Sequence, residues 1–154
     1  MKEIRAQIGD FLEYGATPFV QKTETVQDAI EVMKKWRIGC VLVVESEKLE
    51  GIFTERDLLR LVVEHDGDVA GLNMEQVMTP NPQTIGPEGC ITYAINKMAV
   101  GGFRSIPVVD RDNRVRSVLS IRDVVGHLSE VFSSMDGRWE EDETDHIWID
   151  EGGG

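Results

Sequence analysis

The chain has 154 residues, 41% hydrophobic and 29% charged, a composition that fits one compact globular domain. Its net charge is −12 and no Lys/Arg cluster breaks it, so nucleic acid, whose binding rests on neutralising phosphates, is not expected as a partner. No apolar run approaches the roughly 20 residues of a membrane span, and Met1-Lys2-Glu3-Ile4-Arg5 does not lead into a signal-peptide core, so neither a membrane nor an exported location is expected and a cytoplasmic one is.

Residues 1–18 read as an N-terminal helix and lead-in to a first repeat, 19–65. An extended entry at Val20 precedes Val26, Ala29, Ile30 and Met33, which recur at helical spacing. Cys40-Val41-Leu42-Val43-Val44 is a continuous apolar run, too short for a helix and rich in β-branched residues, hence a buried strand. Glu45 to Glu50 reads as a polar turn and Gly51-Ile52-Phe53 as a short strand. A second helix starts near Thr54, with Leu58, Leu59, Leu61, Val62 and Val63 as its apolar face. Residues 66–82 carry Asp66-Gly67-Asp68 and Met78-Thr79-Pro80-Asn81-Pro82, breakers of an extended linker.

A second repeat, 83–132, follows in the same order. It has an entry at Ile85, a helix through Ile91, Ala94, Ile95 and Met98, a strand from Ser105 to Val109, a turn at Arg111-Asp112-Asn113, a strand from Val115 to Leu119, and a helix from Ser120. At an offset of 65, Val20 falls on Ile85, Val26 on Ile91, Met33 on Met98 and Val43 on Val108; past one insertion, at 66, Thr54 falls on Ser120, Arg56 on Arg122 and Asp57 on Asp123. Such register means one supersecondary unit in tandem. A unit of roughly 60 residues is marginal alone, so the two copies pack as one domain.

Thr54 and Ser120 stand where a strand gives way to a helix, whose N-terminal N–H groups and positive dipole suit a phosphate. The acid three residues on, Asp57 or Asp123, is acceptor-only when ionised and matches the vicinal hydroxyls of a ribose. Ser/Thr followed at the third position by an acid is equally a helix capping box worth about 1 kcal/mol. Its double occurrence in the same strand-to-helix context is what favours ligand contact. Arg56 and Arg122 offer guanidinium to an anion.

The tandem units, Gly51-x-x-Thr54-x-x-Asp57, the Ile106-Pro107-Val108-Val109-Asp110 strand and Val77-Met78-Thr79-Pro80 leading into Thr84-Ile85 resemble a cystathionine-β-synthase (CBS) domain pair, or Bateman module, over residues 9–132. The resemblance implies an α/β (α+β) fold of two β-α-β-β-α units, packed sheet to sheet with pseudo-twofold symmetry and two related clefts. It implies a regulatory, non-catalytic module with AMP, ADP or ATP as ligand, NAD(H) or S-adenosylmethionine as alternatives, a homodimer through the helices, and a regulated partner protein. It places phosphate on Thr54 and Ser120 and ribose on Asp57 and Asp123, with adenine among Val20, Val41, Ile85, Ile106 and Pro107. Thr84 and Arg104 complete the pattern in the second cleft, which is expected to be the better occupied. Ser117, standing where the first copy has Gly51, is expected to crowd a ligand, and the first copy lacks a counterpart of Pro107. Clefts that have lost their ligand would leave a dimerisation scaffold as the alternative.

The remaining residues read as structure. Cys40 and Cys90 have no metal-site or CxxC spacing, and His65 and His127 lack a nucleophile partner; no metal and no catalytic set is expected. Met33, Met98 and Trp36 read as core or dimer contacts. Residues 133–154 form an acidic tail, with eight acids and one base from Asp136 to Glu151, expected to be flexible although Trp139 and Trp148 are costly to leave in water.

Overall fold

The computed structural model describes residues 6–12 and 17–136; most of the acidic tail, including Trp139 and Trp148, lies outside them. In the first unit, β1 (Phe19–Gln21), α2 (Val26–Trp36), β2 (Cys40–Glu45), β3 (Lys48–Thr54) and α3 (Glu55–Glu64) follow the expected order, preceded by α1 (Ile8–Phe11). Then come α4 (Met74–Val77), β4 (Thr79–Pro80), α5 (Ile91–Gly101), β5 (Ser105–Val109), β6 (Val115–Ser120) and α6 (Ile121–Asp136). The polar turn shrinks to two residues: Ser46 and Glu47 both take positive φ, 51° and 67°, and β3 already starts at Lys48. Successive left-handed residues make the tight hairpin whose twist matches the flanking strands.

The first sheet runs β1-β2-β3-β4, with β1 parallel to β2 and the other pairs antiparallel. In the second unit β5 and β6 pair antiparallel, and Ile85 bridges in parallel to Val108 where the first unit has β1. Because side chains alternate along a strand, Val41 and Val43 enter the core under α2 with Val20, Val26, Ala29 and Phe53. Cys40 and Leu42 point the other way, joining Leu49, Ile52 and Val109 between the two sheets. β2 is buried on both faces, which is why it reads as an unbroken apolar run. The hairpin tips interlock: Leu49 N donates to Asn113 O at 3.0 Å and Asn113 Nδ2 donates to Leu49 O at 3.0 Å.

The lead-in segments exchange units. Met74 of α4 is fully buried in the first unit's core, and its N–H donates to Glu24 O at 2.8 Å. Ile8 of α1 is fully buried in the second unit's core with Ile91, Ile106 and Leu119, its N–H donating to Gly89 O at 2.8 Å. So the segment before each repeat docks on the other repeat. The supposed linker is therefore structural: Val26 N donates to Leu72 O, Glu75 N to Lys22 O, and Val69 is buried.

α3 also departs from expectation. Leu58 and Leu61 pack on the core, whereas Leu59 and Val63 are 72% and 77% exposed; a ten-residue helix lying on a sheet can bury only one stripe. Trp36 is half-exposed and so is no core residue, while Met33 and Met98 are buried.

Gly51 answers to packing within its own unit. A Cβ there would lie 2.5 Å from Met78 Sδ and 2.9 Å from Thr79 O, because β4 runs against it. Gly51→Ala is expected to cost about 1–3 kcal/mol by overpacking, read as a lower denaturation midpoint at unchanged slope. Its counterpart Ser117 is itself buried.

Two carboxyls are held below their usual range. The hydroxyl and N–H of Thr25 hydrogen-bond Asp28, and the N–H groups of Arg114 and Asp112, with the Arg116 guanidinium, hydrogen-bond Asp110. Each is a depressed acid, so its contribution is present above the ordinary value near 3.9 and is lost as pH falls through the folded one. An Asp28→Asn, Asp110→Asn chain is expected to show a shallower loss of stability below about pH 4 in acid titration.

Candidate functional site

Each unit ends a strand against the start of a helix at the inter-unit face. In the first, Cys40 pairs with Thr54 across β2 and β3, and Glu55 N donates to Gly39 O at 3.1 Å. In the second, Ser105 pairs with Ser120 and Ile121 N donates to Arg104 O at 2.8 Å. The geometry is the same, so Gly39 and Glu55 of one junction correspond to Arg104 and Ile121 of the other.

Both junctions close as capping boxes. Thr54 N and Oγ1 donate to Asp57 Oδ2 at 2.9 and 2.8 Å, and Asp57 N donates to Thr54 Oγ1 at 3.2 Å. Ser120 and Asp123 repeat this at 2.7, 2.6 and 3.2 Å. A third Ser/Thr–Asp box, Thr25 with Asp28, caps α2 where no cleft was expected, and Gln7 with Asp10 and Asn73 with Gln76 close related boxes at α1 and α4. Capping alone therefore accounts for the motif, and its position at the inter-unit face is what distinguishes two of the three. Capping and ribose contact are also compatible. One oxygen of each carboxylate takes both box bonds, and the other oxygen suffices for a hydroxyl.

The residues named for the adenine need revision. Val20, Val41, Ile85 and Ile106 have their side chains inside the two cores, with Ile106 fully buried beside Ile8 and Leu119. Strand parity places them away from the inter-unit face. Cys40, Leu42 and Pro107, of the opposite parity, line that side instead, and the alternation in the sequence was the signal for it. Backbone is what the named residues can offer. Thr84 adjoins this edge, since Ile85 N donates to Pro107 O at 3.1 Å, and Thr84 O accepts from Lys97 Nζ at 3.4 Å. Arg56, Arg104, Arg122 and Asp123 are exposed, while Thr54, Asp57 and Ser120 are half-buried.

At the pseudo-twofold, Cys40 hydrogen-bonds Ser105, its own counterpart in the second unit. Burial pushes the Cys40 thiol up; the Ser105 bond works against the rise and the nearby Glu55 carboxylate adds to it. A protonated, enclosed thiol is a poor nucleophile. In the native protein Cys40 is expected to react with iodoacetamide much more slowly than the half-exposed Cys90, with the difference erased in urea; peptide mass mapping reads both. His65 is exposed and His127 half-buried. Among the described residues no three His, Cys, Asp or Glu side chains gather as a metal site, and no helix is long and apolar enough to cross a membrane.

The model of the CBS domain family matches residues 16–72 and again 74–130. An Arabidopsis thaliana CBS domain-containing protein, CBSCBSPB1, is 32% identical over 102 residues, covering 66% of this chain and 19% of that protein, so the chain spans about a fifth of the relative's length. The crystal structure of the CBS-domain containing protein ATU1752 from Agrobacterium tumefaciens superposes with a TM-score of 0.74 at 24% identity, covering 83% of this chain and 97% of that one. The CBS domain protein PAE2072 from Pyrobaculum aerophilum, solved in complex with AMP, gives a TM-score of 0.69 at 24% identity, covering 83% and 99%.

Proposed function

The chain belongs to the CBS-domain family, carrying the domain in tandem, and from that premise we propose that it is a regulatory module that binds an adenine nucleotide, AMP, ADP or ATP, at the inter-unit face and passes the binding on as a change in conformation or assembly. The observation that carries this reading is the second junction, where β5 and β6 bring Arg104, Ser120 and Asp123 to one helix N-terminus. Arg104, Arg122 and the positive dipole end of α6 would take the phosphate, Asp123 the ribose, and Pro107 with the backbone at Thr84 the adenine. The AMP bound by the Pyrobaculum aerophilum protein supports the ligand class. Differential affinity for two arrangements of the module is what would convert occupancy into a signal to a partner protein. A cytoplasmic location and a non-catalytic role belong to the same proposal.

A thermal-shift panel of AMP, ADP, ATP, NAD and S-adenosylmethionine at millimolar concentration tests it. An adenine nucleotide is expected to raise the melting temperature, since ligand at 100 times its Kd adds about 2.7 kcal/mol; no rise with any of the five sinks the proposal. A second reading, a dimerisation scaffold with unused clefts, is favoured by Leu59, Val63, Val125 and Phe132, large apolar side chains left exposed on α3 and α6. Its mark would be a dimer in sedimentation whose stability ignores all five compounds.

A further inference from the structure

The two junctions share a backbone and differ in charge. Over Gly39 lies the Glu55 side chain: a Cβ on Gly39 would stand 3.3 Å from Glu55 Oε2 and 3.5 Å from its Cδ. The carboxylate thus covers the segment leading into β2, and its charge reaches the Cys40 thiol next along. At the equivalent place in the second unit the side chains are Arg104 and Ile121. Taking the groups at each helix start, Glu55, Arg56 and Asp57 carry a net −1, whereas Arg104, Arg122 and Asp123 carry +1.

Resting on the adenine-nucleotide reading, we propose that Glu55 is a specificity-determining residue: it closes the first cleft to phosphate-bearing ligands, so that the module takes one nucleotide per chain, in the cleft of Asp123. A phosphate at the N-terminus of α3 would lie against the carboxylate over Gly39. Like charges at 4–6 Å, in the partly screened medium of a protein surface, cancel what the helix dipole and the Thr54 hydroxyl offer. No such group stands before α6. The Gly51 and Ser117 mismatch plays no part in this, because Gly51 is dictated by Met78 and β4.

Calorimetric titration with AMP, and with adenosine as the uncharged probe, tests the assignment. The unaltered chain is expected to bind one AMP. Glu55→Gln is expected to strengthen AMP binding at the first cleft about tenfold or more, bringing the stoichiometry to two, while leaving adenosine binding unchanged. A Gly39→Arg, Glu55→Ile chain, which copies the second junction, is expected to do the same, and a merely structural role for Glu55 would not separate AMP from adenosine. Two equal AMP sites in the unaltered chain, or one site in all three proteins, overturns the proposal. If the unaltered chain binds none and the variants bind one, the exclusion by Glu55 stands and the reading of the second cleft falls. Absence of binding throughout overturns both.

Discussion

Replacing Ile8 by alanine is expected to destabilise the protein by about 2–5 kcal/mol, with the loss centred on the second unit, more than 80 residues away in sequence. Ile8 is fully buried among Ile91, Ile106, Val108 and Leu119, and the N–H groups of Ile8 and Gly9 donate to Gly89 and Pro87 at 2.8 Å. Truncation leaves a cavity in a core closed on its other sides by α5 and α6, with little freedom to collapse. Hydrogen exchange should show the lowered protection in α5, β5 and β6. The mirror substitution, Met74→Ala, should lower it in α2 and β2, since Met74 fills the same role in the first core. A loss under 1 kcal/mol, or one confined to the first unit, would refute the exchange of segments as a source of stability.

Asp123→Ala is expected to weaken AMP binding about a hundredfold, because a hydrogen bond to a charged acceptor contributes roughly 1.5–3 kcal/mol. It also removes the acceptor of Ser120 N and Oγ, so a loss of about 1 kcal/mol without ligand accompanies it. Asp57→Ala supplies the contrast. It breaks an equivalent box and should cost the same cap energy, yet leave the nucleotide-induced rise in melting temperature intact. Equal loss of that rise in both variants would contradict a single productive cleft. Loss of basal stability alone, in both, would reduce the two motifs to caps.

The repeat was legible because hydrophobic spacing, hydroxyl and carboxylate keep one register through it, and a period survives any folding detail. The boxes at Thr54 and Ser120 were legible for a related reason: an N-cap and its acid lie within four residues, so local sequence suffices to form them. The adenine-side residues were not. Val20, Val41, Ile85 and Ile106 are apolar strand residues like their neighbours. Which of two adjacent apolar side chains faces a partner sheet depends on what covers each face, and β2 is covered on both. The outward turn of Leu59 and Val63 was hidden in the same way, since α3 is apolar over more of its surface than one sheet can take.

The sequence by itself determined the tandem unit, the order of its strands and helices, the caps that start α3 and α6, and the family. These rest on contacts between residues near in the chain, or on periodicity that any packing must respect. Only the tertiary structure decided that α1 and α4 cross to each other's units, that Gly51 exists for Met78, and that Glu55 lies over Gly39 where the second unit presents Arg104. Those are meetings of residues from about 15 to more than 100 positions apart, and distance in the chain carries no record of proximity in space. The two junctions already differ as written, Gly39 and Glu55 in one against Arg104 and Ile121 in the other, but only folding lays Glu55 over Gly39 and sets Ile121 against Arg104.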